Sequence, residues 1–277
     1  MTTEEFYSDE TAALHVNDDF AKVRQQGYSV ELGDTISKGW DFMKPQLGSL
    51  IGFLVIAGII VGILSMILGL IPYIGSILNG AINAIVLAGF YYFFIKLYQD
   101  KYATFSDFFE SFQDAVPLGL SGLLISLFTY VPFILLGLIG FFAFDLANVN
   151  FSDPNEIIQM MQGGTMSILL LIAIIPMVII STLYTFTAVI IATNKSGAWD
   201  AMESSRKLVM ANFGGVFGFI WVLGLINAAG ALLCGLGLFV TVPLTYASIF
   251  ILYTKLVEKN GAGEFFYGDE KAPLDAI

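Results

Sequence analysis

Hydrophobic positions along this chain fall into three long blocks, separated by shorter segments that carry the charges. The blocks run from residue 47 to about 95, from 116 to about 194 and from 213 to about 254. One helical crossing of a bilayer needs about 20 apolar residues, so each block is long enough to cross twice. Turn signals or polar residues divide every block. This pattern predicts spans at approximately 47–71, 75–98, 116–144, 165–193, 213–234 and 238–257.

A shorter amphipathic segment precedes each pair of spans, with apolar residues three or four positions apart as on one face of a helix. The predicted apolar faces are Ile36, Trp40, Met43 and Leu47; Phe105, Phe108, Phe109, Phe112 and Val116; and Trp199, Met202, Met210 and Phe213. Asp34 is the predicted N-cap of the first helix, and Arg206 falls on the apolar face of the third. Such a helix lies at the headgroup boundary and orients the next span. The alternative is that these helices sense lipid packing or bind a partner protein.

The pattern therefore predicts an all-α fold: a polytopic membrane bundle of six transmembrane helices in three hairpins, each hairpin preceded by an amphipathic interfacial helix. The membrane domain covers 34–258, an acidic mobile cytoplasmic tail covers 1–33, and a cytoplasmic C-terminal tail covers 259–277. Between spans three and four, Asp153 is a residue type favoured at a helix N-cap, and Pro154 is one favoured at the first helical position. These two residues predict a short surface helix in that loop.

The charges predict the orientation of the bundle. All twelve Lys and Arg residues lie in segments 1–46, 96–115, 194–212 and 255–277, at one side of the predicted spans. Basic segments stay cytoplasmic, so both termini are expected in the cytoplasm. Twenty of the 23 acids lie on the same side, the exceptions being Asp145, Asp153 and Glu156. This acidic excess argues against nucleic acid and against a polybasic patch that binds anionic lipid.

Candidate catalytic residues are scarce. The predicted span interiors contain no ionisable residue, although such residues usually mark transport or catalytic sites when they are present. The only histidine is His15, in the N-terminal tail, and the only cysteine is Cys234. These residues are too few for a usual metal ligand set or for a nucleophile with its base. We therefore expect no enzymatic activity, no cofactor and no metal.

Neutral polar residues within the spans are the other candidates. They are Asn79, Asn83, Thr129, Tyr130, Tyr184, Thr185, Asn227, Thr245 and Tyr246. Hydrogen bonds between helices are one interpretation, and a polar cavity for a neutral solute or lipid headgroup is the other. Pro132, Pro176 and Pro243 are expected to interrupt three spans, and Gly58, Gly62 and Gly69 are expected at helix contacts.

Several short motifs resemble those of an uncharacterised group of bacterial six-span membrane proteins, some of which are named as the membrane domain of glycerophosphodiester phosphodiesterases. The motifs are Gly39-Trp40-Asp41-Phe42, Phe105-Ser106-Asp107-Phe108-Phe109 and the segment from Ala198 to Val209, followed by Gly235-Leu236-Gly237 and Val242-Pro243. The resemblance covers residues 34–258 and implies a bacterial cytoplasmic membrane. It supplies no catalytic residues.

Two functions are compatible with these features. The first is a non-enzymatic integral membrane protein that binds lipid or a membrane-protein partner in an assembly, scaffold or envelope role, with Trp40, Phe105, Phe109, Phe112, Trp199 and Arg206 as its interfacial residues. The alternative is a transporter or channel for a small neutral or amphipathic solute. Homo-oligomerisation is compatible with either function.

Overall fold

A computed structural model describes residues 23, 27–71, 74–100, 102–143, 152–156, 158 and 165–259. Helices make up the fold of these residues, and no β-strand occurs among them. The α-helices are α1 (Leu32–Met43), α2 (Leu47–Leu68), α3 (Ile74–Leu87), α4 (Gly89–Asp100), α5 (Ala115–Ala143), α6 (Thr165–Leu183), α7 (Thr187–Asn194), α8 (Ala198–Met210), α9 (Phe213–Leu232) and α10 (Leu238–Lys259). A 3-10 helix, Phe105–Asp114, precedes α5, and a single 3-10 turn, Lys44–Gln46, joins α1 to α2.

Six helical segments in this part of the chain are long and apolar enough to cross a membrane. They are Leu32–Leu68, Gly75–Gln99, Phe105–Leu136, Ile174–Asn194, Phe213–Leu232 and Leu238–Glu258. Each contains or overlaps one predicted span, so the prediction of a polytopic six-span bundle is confirmed. The protein is therefore a multi-pass membrane protein.

The spans pack in a cycle. Helix α2 contacts α3, α3 contacts α5, α5 contacts α6, α6 contacts α9, α9 contacts α10, and α10 returns to α2. The most extensive contact is between α3 and α5, where a Cβ atom at Gly122 would lie 2.5 Å from the carbonyl oxygen of Gly80. Small residues at such a crossing let two backbones meet without intervening side chains.

The segment before each hairpin packs against the end of an even-numbered span. The 3-10 helix packs against α4, and α8 packs against α7, in each case the helix that it follows along the chain. Helix α1 packs instead against α10, the last helix of the described chain. This contact joins the first hairpin to the third, and the three units thereby form a closed arrangement.

The most densely buried region lies where α4, α10 and the 3-10 helix meet. Phe108 is fully buried, with its ring stacked at 4.3 Å from the ring of Phe53 and at 4.1 Å from that of Phe93. Phe94 and Phe250 extend this aromatic layer toward α1. The residues of α2 that follow Ala57 are exposed or half-buried instead, as expected of a membrane helix that faces lipid tails.

Two spans are broken, at places that the prolines did not predict. Span two changes from α3 to α4 at Ala88, and span four changes from α6 to α7 across residues 184–186. The three span prolines predicted as interruptions, Pro132, Pro176 and Pro243, lie inside continuous helices. Tertiary contacts account for the actual breaks: Gly89 admits the backbone of the 3-10 helix, and α8 satisfies the polar groups freed in span four.

The folded region begins before residue 34. Tyr28 is buried and donates a hydrogen bond from its hydroxyl to the carbonyl oxygen of Leu208 at 3.1 Å, while the Asn212 amide donates to the Tyr28 carbonyl at 2.5 Å. Burial raises the pKa of the Tyr28 hydroxyl above its ordinary value. The prediction of a mobile tail through residue 33 therefore does not hold for 27–33. Its remaining residues, apart from buried Val23, and the tail after residue 259 lie outside the described residues.

The short helix predicted in the loop between spans three and four is described only at 152–156 and 158. Residues 154–156 are helical, and the Asp153 carboxylate accepts a hydrogen bond from the Asn155 backbone N–H at 2.9 Å. Asp153 therefore has the capping role predicted from the sequence. Residues 159–164, which follow in this loop, lie outside the described residues.

Candidate functional site

The candidate site is a set of exposed aromatic side chains on the three segments that precede the hairpins. Its members are Trp40 of α1, Phe105 and Phe112 of the 3-10 helix, and Trp199 of α8. We call this set the aromatic rim. All three segments lead into an odd-numbered span and pack on the end of an even-numbered one, so the rim lies at one end of the bundle.

Helix α1 presents Trp40 outward because its other face is fixed against α10. Thr35, Gly39, Phe42 and Met43 form the buried face. A Cβ atom at Gly39 would lie 2.7 Å from the Ser248 Oγ, so only glycine allows this approach. The two residues that the sequence placed on one face differ in burial: Met43 is buried, whereas Trp40 remains 39% exposed.

The predicted N-cap of α1 is also wrong. The helix begins after Glu31, which makes no side-chain cap hydrogen bond, and Asp34 lies in the first turn. There the Asp34 carboxylate accepts a hydrogen bond from the Lys255 Nζ at 2.6 Å. Asp34 therefore ties α1 to α10. The fold uses this carboxylate for a tertiary ion pair rather than for the end of its own helix.

The second segment is a 3-10 helix, and its period of three changes which side chains are buried. Residues three apart align in such a helix. Phe108 and Ser111 are accordingly buried, while Phe112 is 48% exposed. Phe109 is only half-buried and packs at 6.0 Å from the Phe53 ring. The α-helical period assumed for this segment is therefore wrong, although the predicted apolar residues do face the bundle or its surroundings: Phe109 packs on Phe53, and Phe105 and Phe112 are exposed.

Asp114, at the end of the 3-10 helix, joins three parts of the fold. Its carboxylate accepts hydrogen bonds from the Tyr92 hydroxyl and from the Lys195 Nζ, the latter at 2.5 Å. The Lys195 ammonium also lies 4.5 Å from the centre of the Tyr92 ring. This cluster links α4, the end of the 3-10 helix and the end of α7. By contrast, Asp107 forms a capping box with Thr104, as expected of an acid in a first helical turn.

Helix α8 buries one face and exposes a mixed stripe on the other. Trp199, Glu203, Arg206 and Met210 recur at spacings of four, three and four, and so share a face. Trp199 is 63% and Met210 58% exposed, whereas Met202, predicted to lie beside them, is buried. Arg206 needs a partner in apolar surroundings, and it donates from Nε and from a terminal nitrogen to Glu203 at 2.8 and 2.7 Å.

The ion pair on α8 is mutually stabilised. The Arg206 guanidinium, with help from Lys207, holds the pKa of the Glu203 carboxyl below its ordinary value. The Glu203 carboxylate in turn raises the pKa of Arg206. Both groups therefore stay charged and paired throughout the physiological pH range.

Asn79 and Asn83 share one face of α3, as predicted from their spacing. The Asn79 side-chain oxygen accepts a hydrogen bond from the Ser65 hydroxyl of α2 at 2.8 Å. The Asn83 amide donates to the Asn79 backbone carbonyl at 2.8 Å and to its side-chain oxygen at 3.2 Å. These side chains thus join α2 to α3, which is the bundle-stabilising role considered for them.

Asn227 forms the corresponding contact in the third hairpin. Its amide nitrogen donates to the Thr245 hydroxyl at 2.8 Å, and that hydroxyl donates to the Thr241 carbonyl at 2.9 Å. The Asn227 side-chain oxygen and the Thr241 hydroxyl are buried without a protein hydrogen-bond partner. Gly230 and Gly237 pack beside this group, because a Cβ at Gly230 would lie 2.7 Å from the Thr241 hydroxyl.

The remaining polar candidates do not assemble into one cluster. Thr129 and Thr185 donate to carbonyls of Ile125 and Ser181, one helical turn earlier in the chain. Tyr130 is exposed, and the Tyr184 ring lies 6.3 Å from that of Phe128. Tyr246 packs its ring at 4.9 Å from Phe90 and 5.4 Å from Tyr91.

Ser205 is a structural residue that sequence reasoning missed. Its hydroxyl donates to the Leu183 carbonyl at 2.9 Å and accepts from the Phe186 N–H at 3.1 Å. It thereby satisfies both backbone groups freed at the break in span four. A serine on the small-residue face of α8 was the only available signal, and nothing in the sequence placed it against residue 184. The predicted helix contacts at Gly58 and Gly62 are also wrong, because a Cβ atom at either residue would have no neighbouring atom within 4 Å.

Among the described side chains, no group of three or more His, Cys, Asp or Glu residues could hold a metal ion. Comparison with protein-family models, with curated proteins and with solved structures finds no match for this chain. The resemblance to the bacterial six-span group therefore stays a prediction.

Proposed function

We propose that this multi-pass protein is non-enzymatic and binds lipid through the aromatic rim. The observation that carries the proposal is the outward orientation of Trp40, Phe105, Phe112 and Trp199 around one end of the bundle. Tryptophan and other aromatic side chains are favoured at membrane–water interfaces because they offer an apolar body next to water. Lipid headgroups and upper acyl chains are the natural occupants of such a surface. A membrane-protein partner seated on the same surface is the other outcome that an experiment should distinguish.

Internal contacts support this proposal over a polar pathway. The hydroxyls and amides of the span interiors mostly bond within one helix or between neighbours, as Ser65 with Asn79 and Asn227 with Thr245 do. The aromatic layer around Phe108 fills the contact between α2, α4 and the 3-10 helix. A scaffold or envelope role requires a stable bundle with an outward binding surface, and both features agree with it.

The proposed setting is a bacterial cytoplasmic membrane, with the rim and both termini on the cytoplasmic side. Exposed Cys234, in the turn between α9 and α10, is then on the outer side. An impermeant thiol reagent should label the wild-type protein in intact spheroplasts and should not label Cys234→Ser. Adding Gly197→Cys to the serine variant should restore labelling only after permeabilisation. Labelling of that cysteine in sealed cells would overturn the orientation.

Lipid retention tests the proposed function. The purified protein in mild detergent should retain phospholipid in native mass spectra, and Trp40→Ala with Trp199→Ala should weaken retention about fivefold per tryptophan. This estimate assumes that each half-exposed ring contributes about 1 kcal/mol on burial in lipid. Trp221→Ala is the matched control, because Trp221 is 49% exposed on α9 and lies outside the rim. If a second protein is retained in place of lipid, the partner interpretation is favoured. Equal losses of bound lipid in all variants would contradict the role of the rim.

A transporter of a small neutral solute is the second candidate. The closed cycle of six spans and the unpartnered, buried oxygens of Asn227 and Thr241 favour it. Solute accumulation in sealed proteoliposomes under an imposed pH gradient or membrane potential, abolished by Asn227→Ala, would support transport. We expect no such accumulation, because the described residues 213–254, which carry both oxygens, contain no acidic or basic side chain to couple the gradient to movement.

A further inference from the structure

The basic residues near the rim are neutralised by acids of the same chain. Seven basic side chains are described by the structure, and every one of them lies within 4.0 Å of a carboxylate oxygen. The pairs are Lys38 and Lys255 with Asp34, Lys44 with Asp41, Lys96 with Glu110, Lys195 with Asp114, and Arg206 and Lys207 with Glu203. An anionic headgroup that approaches this surface must therefore compete with an internal carboxylate for each cation.

Helix α8 makes this competition most direct. Glu203 lies between Trp199 and Met210 on the exposed stripe, and it engages both Arg206, at 2.7 Å, and Lys207, at 3.3 Å. An anionic phospholipid seated beside the Trp199 ring would otherwise meet these two cations. Glu203 occupies them instead.

An acidic group beside the rim favours the opposite headgroup charge. Asp200 is exposed and follows Trp199 directly. An ammonium group can approach a carboxylate and an aromatic face together, and both interactions are attractive. A zwitterionic headgroup brings such a group, whereas phosphatidylglycerol brings only the negative phosphate.

We propose that the aromatic rim selects zwitterionic, amine-bearing phospholipids over anionic ones, and that Glu203 enforces this selection by holding Arg206 and Lys207. The proposal rests on the proposed lipid-binding function and adds the headgroup class. Glu203 is a specificity residue in this account, since its removal would leave two basic side chains free beside Trp199.

The test uses the full chain in vesicles that contain equal amounts of phosphatidylethanolamine and phosphatidylglycerol. After extraction in mild detergent, native mass spectrometry gives the ratio of the two lipids that remain bound. The wild-type protein should retain more phosphatidylethanolamine than the vesicle contains. Glu203→Gln should lower the retained ratio of phosphatidylethanolamine to phosphatidylglycerol about fivefold or more, since a basic residue near an anionic surface contributes about 1 kcal/mol.

Two variants control the experiment. Glu31→Gln changes the net charge by the same amount at an exposed position outside these ion pairs, and it should leave the ratio unchanged. Glu203→Gln combined with Arg206→Gln and Lys207→Gln removes the freed cations and should restore the wild-type preference. The thermal midpoint of each variant shows that it is folded.

The two proposals fail in different ways. If the wild-type protein retains neither lipid, the lipid-binding function itself is wrong. If it retains lipid in the proportion of the vesicle or prefers phosphatidylglycerol, the rim binds lipid without the proposed selection. An unchanged ratio in Glu203→Gln would overturn the role of Glu203 alone.

Discussion

Replacing Phe108 with alanine is expected to destabilise the purified protein by about 3–5 kcal/mol, the usual cost of removing a fully buried phenylalanine. Phe108 is entirely inaccessible to solvent, and its ring stacks between those of Phe53 and Phe93. Its loss would leave a cavity where α2, α4 and the 3-10 helix meet. A thermal unfolding scan in mild detergent should show a midpoint lowered by roughly 10 °C.

Phe112→Ala is the matched control for this prediction. Phe112 belongs to the same 3-10 helix but is 48% exposed, so its removal should change the midpoint by far less. If the helix had the α-helical period that the sequence indicates, Phe108 and Phe112 would lie on the same buried face, and both substitutions would be costly. Equal shifts for the two variants would contradict the period of three on which the assignment of the rim depends.

Introducing valine at Gly122 is expected to prevent normal packing of the second hairpin against the first. A Cβ atom there would lie 2.5 Å from both the Gly80 oxygen and the Ala84 Cβ, which are backbone and near-backbone atoms with little freedom to move. Overpacking of this kind typically costs about 1–3 kcal/mol, and a clash with backbone belongs at or above the upper end. The folded yield and thermal midpoint after mild extraction should both fall.

Gly62→Val provides the comparison for that change. Gly62 also lies within an apolar span, but a Cβ atom at this residue would have no neighbouring atom within 4 Å. The substitution adds the same volume and should leave the midpoint nearly unchanged. A large loss at Gly62 together with tolerance at Gly122 would mean that α2 has a neighbour at this position and that α3 and α5 do not cross at their glycines.

The spans were predictable from the sequence because they depend on composition over long windows. About 20 apolar residues without charge admit few alternatives to a membrane helix, and the basic segments divide the blocks clearly. The pairing of Asn79 with Asn83 was equally predictable, since it depends only on the spacing within one helix. The partner of that pair, Ser65, required knowledge of how two helices pack.

The faces of the rim segments were less predictable. Trp40, Phe112 and Trp199 were assigned to the membrane interface, and they are exposed in the structure. The pattern did not show which apolar neighbours, such as Phe108 and Met202, are buried against the bundle. The sequence also assumed one helical period for all three segments, whereas the second has the tighter period of a 3-10 helix. Small residues, including Gly39, Ala201 and Ser205, in fact form much of the surface buried against neighbouring helices.

The breaks in spans two and four depend on tertiary contacts, so local sequence signals could not locate them. Proline removes a hydrogen-bond donor, yet Pro132, Pro176 and Pro243 are accommodated within helices. The chain breaks instead where another element satisfies the freed groups, as Ser205 does for Leu183 and Phe186. Such a site becomes visible only when the helix on the other side is in place.

Quenching of tryptophan fluorescence by brominated lipids tests most directly whether the rim contacts lipid. The chain has three tryptophans, so variants that keep only Trp40, only Trp199 or only Trp221 can be reconstituted in turn. Bromine near the headgroup end of the acyl chain should quench Trp40 and Trp199 most strongly, and bromine deeper in the chain should quench Trp221. Absence of lipid quenching at both Trp40 and Trp199, with Trp221 still quenched, would contradict the lipid-binding rim.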